Sequence, residues 1–182
     1  MGAAFGRPRI ARHLALKPLV LGLLVACSDA PVRSTAPDTT TPCGGSEVTL
    51  ETANQTATYE VLQPQTPLAN ADNLKSIWQC ATAPGGFLLM YSSGVGVLES
   101  MNTLKHPAAE WKGLADSYKE FSVGEINGVA ASFADPSVDD AIGGVDFVVD
   151  DVRYTISGDG TIPLDELIGV ASSLPVAPAP QK

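Results

Sequence analysis

Two apolar alternations meet at Asp150-Asp151, with Val145, Phe147 and Val149 on one side and Val152, Tyr154 and Ile156 on the other. A period of two marks a strand with one buried face, and a two-residue connection between such runs closes them into an antiparallel hairpin. The register is tightly specified, because a slip of one residue would turn every apolar side chain over. Asn127-Gly128 repeats the signal upstream, since both positions accept positive φ, and predicts a hairpin joining Phe121–Ile126 to Val129–Phe133.

The remaining pattern has to serve that sheet. Ser46 or Thr49 can cap a short helix running to Thr56, with Glu47 and Glu51 placed where a helix N-terminus favours acids. Tyr59 to Gln63 reads as a strand ended by Pro64, and Leu74 to Cys80 as a second, with Leu74, Ile77 and Trp78 as core candidates. No charge occurs from Ser76 to Leu98, which invites a membrane span. Pro84-Gly85-Gly86 and Ser92-Ser93-Gly94 divide the stretch instead into two strands, Phe87–Tyr91 and Val95–Ser100, joined by a tight turn. Trp111, Leu114, Ala115 and Tyr118 recur at helical spacing after Pro107; Gly113 weakens that helix, and a long loop is the alternative. A last helix covers Leu164 to Leu174, entered through Pro163, with Asp165 and Glu166 in its first turn and Leu164, Leu167, Ile168 and Ala171 turned inward. The expected fold is α+β, an antiparallel sheet of about five to seven strands packed by an N-terminal and a C-terminal helix.

Ahead of the sheet lies a different kind of segment. Arg7, Arg9, Arg12 and Lys17 introduce an uncharged run from Pro18 to Ala26, which has the length of a signal-peptide core and is too short to span a bilayer as a helix. Leu24-Val25-Ala26-Cys27 closes the run and resembles a bacterial lipobox. That pattern implies that residues 1–26 are a signal peptide, that cleavage leaves Cys27 as the first mature residue, and that Cys27 is the lipid attachment site. The partner so implied is a lipid bilayer, and the location is a bacterial cell envelope, facing away from the cytoplasm. A plain signal peptide with a coincidental cysteine is the alternative. Two acyl chains, at ~0.8 kcal/mol per buried methylene, make such attachment stable where one does not. Residues 27–45 are rich in Ser, Thr, Pro and Asp and read as a semi-rigid spacer; 46–174 form one domain, and 175–182 a Pro-rich disordered tail.

Charge and cysteine count fit that arrangement. Removing residues 1–26 takes four of the 11 basic residues and none of the 20 acidic ones, leaving 7 against 20 and a formal charge of −13. Such a chain lacks the basic footprint that nucleic acid or an anionic lipid surface requires, so attachment has to come from the lipid. Of the 3 cysteines, Cys27 is spoken for. Cys43 and Cys80 remain, and in an oxidising compartment a disulfide between them is the default. Two free thiols or a metal pair are the competing readings; no nearby His or second Cys pair completes a zinc set.

Several segments look familiar in their order: Thr49-Leu-Glu-Thr-Ala53, Tyr59-Glu-Val-Leu-Gln-Pro64, Phe87-Leu-Leu-Met-Tyr91, and Val152-Arg-Tyr-Thr-Ile-Ser-Gly158 leading into Leu164-Asp-Glu-Leu-Ile-Gly-Val-Ala-Ser-Ser-Leu174. The series resembles a small extracytoplasmic domain of unknown function found on bacterial lipoproteins and on the outer portions of membrane proteins, some related to sigma-factor regulation and sporulation. Residues 102–124 depart from the resemblance, and Val145-Asp-Phe147 stands where the family usually has a tryptophan. The resemblance implies an antiparallel sheet packed by the first and last helices, and it supplies no reaction.

Chemistry-bearing motifs are few. Asp159-Gly160-Thr161-Ile162 followed by Glu166 has the spacing of the second half of a calcium-binding EF-hand loop, but Thr155 and Ser157 stand where its leading ligands belong; a Gly- and Asp-rich turn into a helix produces the same letters. A wider acidic tract holds Asp135, Asp139, Asp140, Asp146, Asp150, Asp151, Asp159, Asp165 and Glu166, with Arg153 as counter-charge. It reads as a solvated face, with a weak cation surface or a dock for a basic partner as the functional version. His106 is the only histidine after Ala26, and no G-x-S-x-G elbow or Gly-rich phosphate loop is present, so neither a catalytic residue nor a cofactor is expected. Trp78, Trp111 and Tyr91 could line an apolar groove, although core packing is the ordinary job for such residues. Together these features predict a non-enzymatic binding or sensing module whose partner is an envelope protein or ligand. An envelope hydrolase with an unrecognised site and a structural envelope component are the alternatives.

Overall fold

The computed structural model describes residues 42–138 and 143–176. In chain order its strands are β1 (Ser46–Val48), β2 (Leu74–Cys80), β3 (Gly86–Tyr91), β4 (Gly96–Met101), β5 (Phe121–Ile126), β6 (Val129–Ala134), β7 (Gly144–Val149) and β8 (Val152–Ser157). Its helices are α1 (Leu50–Thr56), α2 (Pro107–Ser117) and α3 (Leu164–Ser172). All strands join one antiparallel sheet in the order β1-β2-β3-β4-β8-β7-β6-β5, so the α+β class holds with eight strands rather than five to seven. None of the described helices is long and apolar enough to cross a membrane.

Both predicted hairpins form. Asn127 and Gly128 take φ of 51° and 79° between β5 and β6, and Asp150 and Asp151 take 48° and 63° between β7 and β8. These are mirror-image turns, whose twist matches that of the strands they join. A left-handed conformation costs an ordinary residue ~1–2 kcal/mol, of which Gly escapes most. Asp151 is exposed, so Asp151→Gly is expected to stabilise the protein by ~0.5–1 kcal/mol, a small rise in the urea midpoint at unchanged slope. A fall in that midpoint would mean the Asp side chain supports the turn.

β8 is the seam of the sheet. It pairs with β7 at Val145↔Ile156, Phe147↔Tyr154 and Val149↔Val152, and on its other side with β4 at Val97↔Ile156 and Glu99↔Tyr154. β4 in turn sets Val97 against Leu89 and Glu99 against Phe87 of β3. One face of the sheet therefore carries a continuous buried layer that includes Phe87, Leu89, Val97, Val145, Phe147, Tyr154 and Ile156. α3 closes over β7 and β8, burying Leu167, Val170 and Ala171, while Leu164 and Ile168 are only half-buried. α1 sits by β2 with Thr49 as its cap, the Thr49 Oγ1 accepting from Thr52 N. Ser46 does not cap a helix; it belongs to β1.

The predicted strand from Tyr59 to Gln63 is absent. Residues 57–65 cross the buried layer as an irregular strap, whose backbone donors beyond Ala57, at Val61, Leu62 and Gln65, go to side chains of the elements on either side instead of to a neighbouring strand. Val61 N donates to Asn54 Oδ1 of α1, Leu62 N to the Glu99 carboxyl of β4, and Gln65 N to Ser173 Oγ just beyond α3. Apolar content read as strand propensity there; the side chains facing it decided otherwise.

The opposite face is shared out differently. α2 does form, against β5 and β6, but of its apolar series only Trp111 is buried; Leu114 and Tyr118 are 38% and 54% exposed. Cys43 and Cys80 are joined by a disulfide, which ties the entry of the domain to the end of β2. Residues 27–41 of the expected spacer and 177–182 of the expected tail lie outside the described residues, as does the whole of 1–26.

Candidate functional site

The only fully buried carboxyl among the described residues is that of Glu99, 0% exposed in the middle of β4. Strand parity puts it there. Val97 and Glu99 point to the same face, which is the face covered by the strap and the two flanking helices. Both Glu99 carboxyl oxygens lie within reach of one donor, Leu62 N, at 3.1 and 3.2 Å. Among the described residues no cation pairs with it. Removal from water disfavours the charged form, and although the Leu62 N–H opposes this, the net effect pushes the carboxyl up to about 8.

Three phenols surround this carboxyl. Tyr59 of the strap hydrogen-bonds through its hydroxyl to the carbonyl oxygens of Glu99, at 2.8 Å, and Gly85, at 2.9 Å. Tyr154 of β8 is its cross-strand partner and stacks on Phe147 with ring centroids 5.2 Å apart. Tyr91 of β3 is buried, and its hydroxyl has no partner among the described protein atoms. Burial raises all three phenols, and the nearby Glu99 raises them further. Nothing in the cluster titrates so as to hand Glu99 a countercharge.

Between the strap and the β7–β8 hairpin lies a cleft of about 220 Å³, lined by Tyr59, Glu60, Leu62, Asp150, Tyr154 and Val176 among others. Glu60 and Asp150 stand exposed on its rim. Glu99 is not among the lining residues, whereas its neighbours Tyr59, Leu62 and Tyr154 are. The raised carboxyl thus lies beneath the lining of this cleft and not on its surface.

The residues singled out from sequence are dispersed by the fold. Asp146 is the centre of a partly buried cluster beneath α2, accepting from Arg153 Nε at 2.8 Å, Thr155 Oγ1 at 3.0 Å and Trp111 Nε1 at 3.2 Å. That set occupies both its oxygens and fixes α2 to β7 and β8, which is packing work. Asp135 and Asp159 each accept from the backbone and hydroxyl two residues on, Ser137 and Thr161, and these bonds hold both carboxyls below the usual range. Asp150 and Asp151 make a turn, while Asp165 and Glu166 start α3. Asp139 and Asp140 lie outside the described residues. Among the described residues no group of three His, Cys, Asp or Glu side chains comes together to hold a metal ion.

The other candidates have local duties. His106 precedes α2, its backbone N–H donating to Glu110 Oε1 and its side chain capping nothing. Ser93 closes the β3–β4 turn by donating to Leu68 O at 2.6 Å. Tyr91 and Trp111 are buried, and Trp78 is half-buried with its indole N–H on Ser76 Oγ. Cys27 lies outside the described residues. Glu99 escaped the reading of the sequence, yet its signal was present: in Val95-x-Val97-x-Glu99 the acid falls in phase with two buried valines.

No family model, curated protein or solved structure matches this chain. Function therefore rests on the residues themselves.

Proposed function

We propose that the chain is an extracytoplasmic lipoprotein, held to a bacterial membrane through acylated Cys27, whose α+β domain binds or senses an envelope partner and transforms no substrate. The observation that carries this reading is the Cys43–Cys80 disulfide. Such bonds persist in oxidising compartments, which agrees with export, and this one consumes two of the 3 cysteines. Cys27 is left as the single thiol for a lipid. The arrangement of the acids supports the non-enzymatic half: the carboxyl whose proton affinity suits acid-base work is fully buried and lines no part of the cleft, Asp146 is engaged in a partly buried packing cluster, and Asp150, Asp151, Asp165 and Glu166 serve a turn and a helix start.

Expression in a bacterial host with a labelled fatty acid tests the anchor. The wild-type protein is expected to take up label and sediment with membranes, while Cys27→Ala loses the label and appears in the soluble envelope fraction. Retention of label and of membrane fractionation by Cys27→Ala would overturn the reading.

A further inference from the structure

We propose that the strap over residues 57–65 is a pH-gated latch, closed while Glu99 carries its proton and released when the Glu99 carboxyl ionises. The geometry supplies the three parts such a device needs. Its sensor is a carboxyl with 0% exposure. Among the described residues its one hydrogen-bond donor is Leu62 N, and Leu62 belongs to the strap, so the group that titrates and the group that moves are directly bonded. The moving part has no sheet or helix ladder of its own. Besides Leu62 N, its backbone is tied by Ala57 N to Ala53 O at its start and by single bonds to Asn54 Oδ1 and Ser173 Oγ, at 3.0 Å each, and the Tyr59 hydroxyl adds bonds to the carbonyl oxygens of Gly85 and Glu99. A segment held this way opens at lower cost than the sheet beneath it.

An ionised Glu99 in the closed state is poorly served. The titratable groups facing it are Tyr59 from the strap, Tyr91 from β3 and Tyr154 from β8, all acids that stay neutral well above physiological pH. Glu60 on the strap and Asp150 in the β7–β8 turn act on Tyr154 and have the same sign as ionised Glu99. Asn54 of α1 and Ser173 just beyond α3 face the strap, neither of them charged. One backbone N–H is a small return for a buried charge, and the direct remedy is admission of water by lifting the strap. Burial places the Glu99 transition where an extracytoplasmic compartment can cross it. The imidazole of His106 is remote from this cluster, at the start of α2 on the opposite face of the sheet.

Hydrogen exchange followed by mass spectrometry on the intact protein, corrected for the chemical exchange rate at each pH, provides the test. Protection of amides in the strap is expected to fall at least tenfold between about pH 6 and pH 9, with β3, β4 and β8 unchanged; in Glu99→Gln, strap protection stays flat. Equal protection of the strap at both pH values in the wild type, or an equal fall in Glu99→Gln, overturns the proposal. Should Glu99→Gln fail to fold, a carboxyl carbon NMR titration of the wild type decides. Coincidence of the Glu99 midpoint with the shift of the Leu62 amide supports the latch, and non-coincidence overturns it.

Discussion

Between about pH 5 and pH 9 the protein is expected to lose roughly 3–5 kcal/mol of stability, and Glu99→Gln to remove most of that loss. The folded state lifts the Glu99 carboxyl from an ordinary 4.5 to about 8. In that window the folded protein holds a proton that the unfolded chain has already released, so stability falls as pH rises; the neutral acid's contribution is complete below the unfolded value and gone above the folded one. Urea midpoints across the range are the measurement. A midpoint that does not move between those limits would show that the folded protein solvates the carboxylate. Asp135 and Asp159, held low by their hydroxyl partners, act in the opposite sense at acid pH and do not mask the effect.

Reduction of the disulfide is expected to produce a loss of similar size by a different route. Cys43 and Cys80 are 37 positions apart, and on the chain-entropy account closing a loop of that length removes ~4 kcal/mol of freedom from the unfolded state. For a domain of this size the fall in Tm is on the order of 10–20 °C. The double variant Cys43→Ser/Cys80→Ser, melted beside the oxidised wild type, makes the comparison without a reductant. Equal midpoints would refute the loop-entropy account.

How far the sequence carried the fold depended on whether neighbours in the chain decided the outcome. The β7–β8 hairpin was legible because alternation and a two-residue turn are local, and Leu74–Cys80 agreed at both ends because Pro84-Gly85-Gly86 follows it so closely. The strap was misread because its letters favour a strand, and only the distant Asn54, Glu99 and Ser173 make an irregular path affordable. β1 was missed for a related reason, since three residues carry no usable period and Ser46–Val48 becomes a strand only by pairing with Ile77–Gln79. α2 was legible only as one of two readings, helix or long loop, and of the face assigned to it only Trp111 is buried, because burial there follows from which residue reaches Asp146. Glu99 was the costliest omission. Its parity could be read from the valines before it, but its isolation from any cation is a property of three dimensions.

The residues bracketed by the disulfide include β1, α1 and the whole strap. If the domain hangs from a lipid at Cys27, a pull along the tether arrives at Cys43 and passes through the sulfur bridge to the end of β2, a strand hydrogen-bonded on both sides. The short edge strand and the strap lie inside the covalent ring and carry none of that load. Tension on the anchor and opening of the latch are thereby mechanically independent, and reduction of a single bond would couple them.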